Sequence, residues 1–181
     1  MLKNIFFSFS FLIWGSFVWA QNSFPQNVVI DDAYNSPTVS LATHVDLDND
    51  SKVDILAVDY RKIFWLKNVS TQQNSFSPIQ NIYTHPSEIL QVGSADINYD
   101  GFKDIIFRTT AGIFMMTGSG NLGAFSTPIS LYTGNYTQFQ ILDIDSDGFL
   151  DVYAQSQTTA GWRKNSGNGT FPSSFTIFTS G

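Results

Sequence analysis

The sequence contains no cysteine. That excludes a disulfide framework, a thiolate metal site and a cysteine nucleophile. Histidine is nearly as scarce: His44 and His85 are the only two. Neither has an evident serine or carboxylate partner outside three acidic loops. A carboxylate pair for glycoside chemistry would have to come from Asp31, Asp32, Asp59 or Glu88. The expectation is therefore a protein that is not an enzyme. Lysine and arginine number nine and are scattered, so there is no basic face for nucleic acid. After residue 20 no apolar run approaches the roughly 20 residues a membrane helix needs. Without disulfides, a packed core or bound metal must hold the chain together.

Charge is sparse, at 13% of residues, but the acids are not scattered. Eleven of the fifteen fall in three nine-residue stretches. The clearest is Asp143-Ile144-Asp145-Ser146-Asp147-Gly148-Phe149-Leu150-Asp151, which reads D-x-D-x-D-G-x-x-D. A second copy carries Asp96, Asn98, Asp100, Gly101 and Asp104 at the same positions. A third carries Asp46, Asp48, Asp50, Ser51 and Asp54. Calcium takes six to eight oxygen ligands at about 2.3–2.6 Å. Carboxylates at positions 1, 3 and 5 of a tight loop can converge on one point, a carbonyl at position 7 can join them, and position 9 can close the shell. Glycine at position 6 supplies the reversal, because it tolerates positive φ. Ser51 breaks that rule, and Asn98 lowers its loop's charge by one. The loop at residues 143–151 is thus expected to bind best, and up to three Ca²⁺ are expected in all. Three divalent ions would cancel the formal net charge of −6.

An EF-hand would need glutamate at position 12 and flanking helices. Position 12 is Ala57, Phe107 or Ala154, and each loop runs into a β-branched and aromatic stretch that reads as a strand. Asp, Asn and Gly clusters also mark ordinary turns. Three copies in register, each leading into a strand, favour metal.

The loops begin 50 and 47 residues apart, and each opens the same series of segments. After the strand comes a second one ("IFWLKN", "IFMMTG", "WRKN"), then a polar turn ending in phenylalanine, then a third strand, then the strand entering the next loop. Four strands in 47–50 residues is the length and content of a β-propeller blade. The expectation is an all-β fold of about three four-stranded antiparallel blades, at residues 38–84, 87–133 and 137–179, in an incomplete propeller. Trp65 and Trp162 occupy equivalent positions and are read as blade-to-blade packing, with a sugar platform as the alternative; Asn68 and Asn165 are read as turn residues.

The D-x-D-x-D-G-x-x-D loops, the W-x-K-N strand and the "GNGTF" turn resemble the FG-GAP/VCBS repeats of integrin α-chain propellers and many secreted bacterial proteins, over nearly all of residues 24–181. The literal Phe-Gly and Gly-Ala-Pro signatures are not clean, so the VCBS-like branch is the nearer. The resemblance implies loops that bind Ca²⁺ structurally and ligands that bind elsewhere on the propeller.

Residues 1–20 read as a secretory signal peptide: Lys3, an apolar core, and Val18-Trp19-Ala20 before a cleavage point; the alternative is an uncleaved membrane anchor, for which the apolar run is short. The remainder, 21–181, would be a secreted, extracellular or cell-surface module without a membrane span. An additional outer-type strand, "NVVIDD", precedes the three blades and does not close a ring with them. That suggests the N-terminal piece of a longer protein, or several chains sharing one ring. The functional expectation is non-catalytic binding or adhesion to an extracellular protein or carbohydrate. The alternative is an accessory propeller of a larger extracellular enzyme, such as one that degrades polysaccharide.

Overall fold

A computed structural model of the chain describes residues 40–71, 75–120 and 123–179. The expected signal segment and the strand at residues 27–32 lie outside the described residues. Within them are twelve strands. β1 (Leu41–Val45), β2 (Asp54–Asp59), β3 (Lys62–Leu66) and β4 (Gln80–Thr84) form one sheet. β5 (Ile89–Ala95), β6 (Asp104–Thr109), β7 (Gly112–Met116) and β8 (Ile129–Thr133) form the next. β9 (Gln138–Leu142), β10 (Asp151–Gln155), β11 (Thr159–Lys164) and β12 (Ser173–Thr179) form the third. Within each sheet, every strand pairs antiparallel with its neighbour in sequence. The fold is all-β, with three four-stranded blades.

The period-2 pattern and its exceptions explain why these residues make blades. Strands alternate faces, yet the second strand of blade 2, Asp104–Thr109, is buried at five of its six positions. Such a strand has sheet packed on both sides. One face of blade 1 places Leu56, Val58 and Ile63 against Ile105, Phe107 and Met116 of blade 2. The corresponding face of blade 2 places Ile106, Ile113 and Met115 against Phe139, Val152 and Ala154 of blade 3. The core is thus two successive inter-blade layers. Each blade also carries a register shift at the same place in its third strand, after Ile63, Ile113 and Ala160. A bulge of this kind sharpens the local twist.

The third and fourth strands reinforce the layers with aromatics. Tyr83 of β4 lies 5.7 Å, between ring centroids, from Phe107 of blade 2. Its equivalent Tyr132 donates its hydroxyl to the Val152 carbonyl of blade 3 at 2.9 Å, and the Arg163 guanidinium lies over its ring at 5.0 Å. Trp65 is fully buried and lies opposite Leu56 in register, so it serves packing. Trp162 holds the same position in blade 3, stacked on Phe175 at 4.6 Å. There the equivalent of Tyr83 and Tyr132 is Phe178, which is 46% exposed, as is Phe175. The face that blades 1 and 2 use to seat a successor is open on blade 3.

The inter-blade layer gives a direct test. Ile106 is completely buried between blades 2 and 3. Ile106→Ala is expected to lower unfolding free energy by about 2–5 kcal/mol, a large share of a typical domain's total of roughly 5–15 kcal/mol. Urea unfolding monitored by circular dichroism measures it.

Candidate functional site

The meander sends the loops between first and second strands and those between third and fourth strands to one end of the blades. The hairpins between second and third strands, and the connections between blades, lie at the other. The three acidic loops therefore stand together.

Each loop is wound by its own carboxylates. Asp46 accepts the amides of Asp50 (3.1 Å) and Ser51 (2.9 Å). Asp143 accepts those of Asp147 (3.2 Å) and Gly148 (2.9 Å). Asp96 accepts that of Gly101 at 3.0 Å. The fifth-position aspartate accepts the seventh-position amide: Lys52 at 3.0 Å, Phe102 at 2.8 Å, Phe149 at 2.9 Å. Position 6 takes positive φ in all three, +89° at Gly101, +90° at Gly148 and +66° at Ser51. Ser51 adopts the glycine conformation at a strain of about 1–2 kcal/mol. Position 4 also takes positive φ, at Asn49, Tyr99 and Ser146.

This winding brings Asp46, Asp48 and Asp50 together, with carboxylate oxygens within 4.8 Å of one another, and likewise Asp143, Asp145 and Asp147. The middle loop has Asn98 between Asp96 and Asp100. Its amide nitrogen donates to Asp100 at 2.8 Å, and its oxygen accepts the Asp100 amide at 3.1 Å. Oδ1 of Asp48 and Oδ1 of Asp96 are buried without a hydrogen-bond partner. Buried carboxylate oxygens are ordinarily satisfied, so two orphans in oxygen-rich loops fit a hard cation.

The ninth-position aspartates stand apart from those triplets. Asp54, Asp104 and Asp151 are completely buried, and both oxygens of each accept backbone amides. One oxygen takes the second residue of the loop: Leu47 at 3.1 Å, Ile97 at 2.9 Å, Ile144 at 3.0 Å. The other takes a residue just beyond the third strand: Asn68 at 2.7 Å, Gly118 at 2.9 Å, Asn165 at 2.9 Å. Burial raises the pKa of Asp54 and Asp104, and the amide bonds oppose that shift. Each carboxylate clamps the acidic loop to the exit of the third strand. Asn68 and Asn165 complete the clamp. Their side-chain amides donate to the carbonyls of Val53 (3.1 Å) and Leu150 (3.0 Å), and their oxygens accept turn amides from Ser70 and Gly167.

Two features of the loops escaped the sequence reading. The lysines of "WLKN" and "WRKN" enter the acidic triplets: Lys67 bonds Asp48 and lies 3.1 Å from Asp50, and Lys164 bonds Asp145 and lies 2.6 Å from Asp147. Hydrogen bonding to Asp48 and Asp145 respectively raises the pKa of each lysine, and Lys164 lowers that of Asp147. The fourth loop position links blades: Asn49 donates to the Gly101 carbonyl, and Tyr99 donates to the Gly148 carbonyl at 2.8 Å while accepting the Leu150 amide. The lysine two residues after both Trp65 and Trp162 was a visible signal for the first. Nothing in the sequence marked the second, because Asn49 and Tyr99 share no chemistry beyond a donor.

At the other end lies a cavity of about 380 Å³ between blades 2 and 3. The connection through Gly134, Asn135 and Tyr136 forms one wall, and the hairpin at Ser156, Gln157 and Thr159 forms the other. The histidines are elsewhere. His44 is exposed on β1. His85 is buried against Phe107 and Phe114, and its Nδ1 accepts the Ser87 amide at 3.0 Å, a turn-closing arrangement. Asp59 ends β2 beside the hairpin and Glu88 stands just before β5, while Asp31 and Asp32 lie outside the described residues.

Asp104→Asn tests the clamp. Asparagine keeps one acceptor but turns an N–H₂ group toward a backbone amide. The expected loss is about 2–3 kcal/mol, measured by chemical unfolding in the presence of a chelator so that metal plays no part.

The family model of the FG-GAP-like repeat matches residues 46–107, from the start of the first acidic loop to within the second strand of blade 2. No curated protein sequence matches the chain significantly. Among solved structures, an Agrocybe aegerita lectin, determined to explain its specific recognition of non-reducing terminal N-acetylglucosamine, is similar at a TM-score of 0.60 and 16% identity. That match covers 77% of this chain and 38% of the lectin. The pore of the Photorhabdus luminescens Tc holotoxin is similar at a TM-score of 0.50 and 14% identity, over 79% of this chain and 7% of that one. At these identities the likeness is one of fold, and this chain spans well under half of either structure. The FG-GAP-like repeat is thus matched over residues 46–107, and the strand order of that stretch continues through the third blade of a propeller-like fold.

Proposed function

We propose that this is a secreted, non-catalytic binding module whose loops are held by calcium at one end and whose ligand, a carbohydrate, binds at the other. The observation that carries the reading is the division of chemistry between the two ends. Oxygen-rich loops with orphaned buried oxygens stand at one end, and the open polar cavity at the other is lined by hydroxyls, amides and Tyr136. Such a lining suits the many hydroxyls of a sugar, with an aromatic ring for its apolar face. The lectin's specificity for a terminal sugar on a similar fold points the same way.

The residues that would hold calcium are Asp46, Asp48 and Asp50; Asp96, Asn98 and Asp100; and Asp143, Asp145 and Asp147. Asp54, Asp104 and Asp151 contribute from behind, each through the amides it fixes. Calcium would add positive charge to these acidic loops, so binding it would stabilise the folded chain further. The signal-like residues 1–20 support export, where millimolar calcium is available. The exposed Phe175, Ile177 and Phe178 on blade 3 favour a further blade or domain on that side, which also suits an accessory propeller of a larger extracellular enzyme.

Glycan-array binding of the calcium-loaded chain, then titration with the best free sugar, tests the assignment. The double variant Asn135→Ala/Gln157→Ala is expected to weaken sugar binding at least tenfold while leaving the melting temperature unchanged. Absence of any glycan binding, or binding that the variant leaves intact, contradicts it; capture by an extracellular protein instead would move the ligand class.

A further inference from the structure

The loops of blades 1 and 3 differ from that of blade 2 in two linked ways. Where the third loop position is aspartate (Asp48, Asp145), a lysine at or just beyond the end of the third strand reaches it. Where it is asparagine (Asn98), the strand-end residue is Thr117, and the Asn98 amide donates to Asp100 in place of an ammonium. Each additional carboxylate is thus accompanied by its own cation, delivered 19 residues along the chain in both blades. In blade 1 the arrangement is enclosed. The Asp48 side chain is 4% exposed, that of Lys67 is 22% exposed, and Oδ1 of Asp48 is buried with no partner. Lys52 adds only a loose pair at 3.7 Å from Asp50 with a 41% exposed side chain.

A buried or half-buried carboxylate triplet needs positive charge nearby. The ammonium and a metal ion would be attracted to the same oxygens, since Lys67 engages Asp48 and Asp50, and Lys164 engages Asp145 and Asp147. Both cannot hold those oxygens at full strength.

We propose that Lys67 and Lys164 are the resident cations of the first and third loops in the absence of calcium, and that calcium must displace them to bind there. The consequence is a fold that keeps its loops wound in low calcium and loses metal affinity at two of three loops in return. This inference rests on the assignment of the loops to calcium, and deepens it.

The experiment compares the full chain with Lys67→Met and Lys164→Met, and with Lys62→Met as an exposed-lysine control. Melting temperatures are taken in chelator, and calcium binding is measured by titration calorimetry with calcium chloride. The two readouts are expected to move in opposite directions. In chelator each loop-lysine variant melts about 2–4 °C lower. In the calcium titration each binds at least threefold more tightly at one site. The control moves neither. A lysine that merely packs would lower both stability and affinity when removed, and that result overturns the proposal, as does calcium affinity equal to that of the unaltered chain. Lys164, the more exposed of the two, keeps the test open if the Lys67 variant fails to fold. Failure of the calcium assignment itself looks different: none of the proteins binds calcium, and the displacement falls with it.

Discussion

The buried carboxylate at the end of each acidic loop is the contact on which the blades depend. Asp54, Asp104 and Asp151 begin their second strands, and each spans from the loop behind it to the exit of the third strand. A carboxylate stripped of water is tolerable only if its oxygens are hydrogen-bonded. Here both are, to amides that would otherwise lack partners where the sheet ends. The clamp sets the spacing between loop and strand exit, and that spacing brings Lys67 and Lys164 to the acidic triplets.

From that clamp the loop end of the blades is built in layers of charge. Inside are carboxylates bonded to amides. Outside are triplets whose mutual repulsion has to be answered by cations or, in blade 2, is lessened by an asparagine. Between the blades, Asn49 and Tyr99 tie each loop to the next through the carbonyl of position 6. The residue that carries that carbonyl is a glycine at positive φ, Gly101 or Gly148, so the reversal and the link share one position. The opposite end carries none of these acidic clusters. Its short hairpins and connections leave the polar cavity open, well away from the acidic loops.

Much of the fold was legible. The strands could be placed because the loop motif sets the register, and each strand after it is a short β-branched or aromatic run bounded by Gly, Asn or Ser. The left-handed turn at position 6 was legible from Gly101 and Gly148, and Ser51 stood out as the exception. What was not legible depends on contacts across many residues. Spacing alone reads the ninth aspartates as closing a metal shell and does not show that Leu47 and Asn68 also present amides to Asp54. Trp65 and Trp162 read as equivalents and occupy equivalent positions, yet one is fully buried and the other is not, because burial depends on a neighbouring blade rather than on the residue. The cavity is formed by Gly134–Tyr136 and Ser156–Thr159, two polar turns that are unremarkable apart and meet only because blades 2 and 3 lie side by side.

Amide hydrogen exchange at Leu47, Ile97 and Ile144, resolved by NMR with saturating calcium and again with chelator, tests the central claim most directly. If the buried carboxylates clamp the loops, these three amides exchange as slowly as those in the middle of β6, even without metal, while the amides of positions 5 to 7 slow markedly on adding calcium. If all three exchange as fast as exposed turn amides in chelator, the clamp does not exist apart from the metal. If calcium then changes none of the loop amides, the loops are turns and not metal sites.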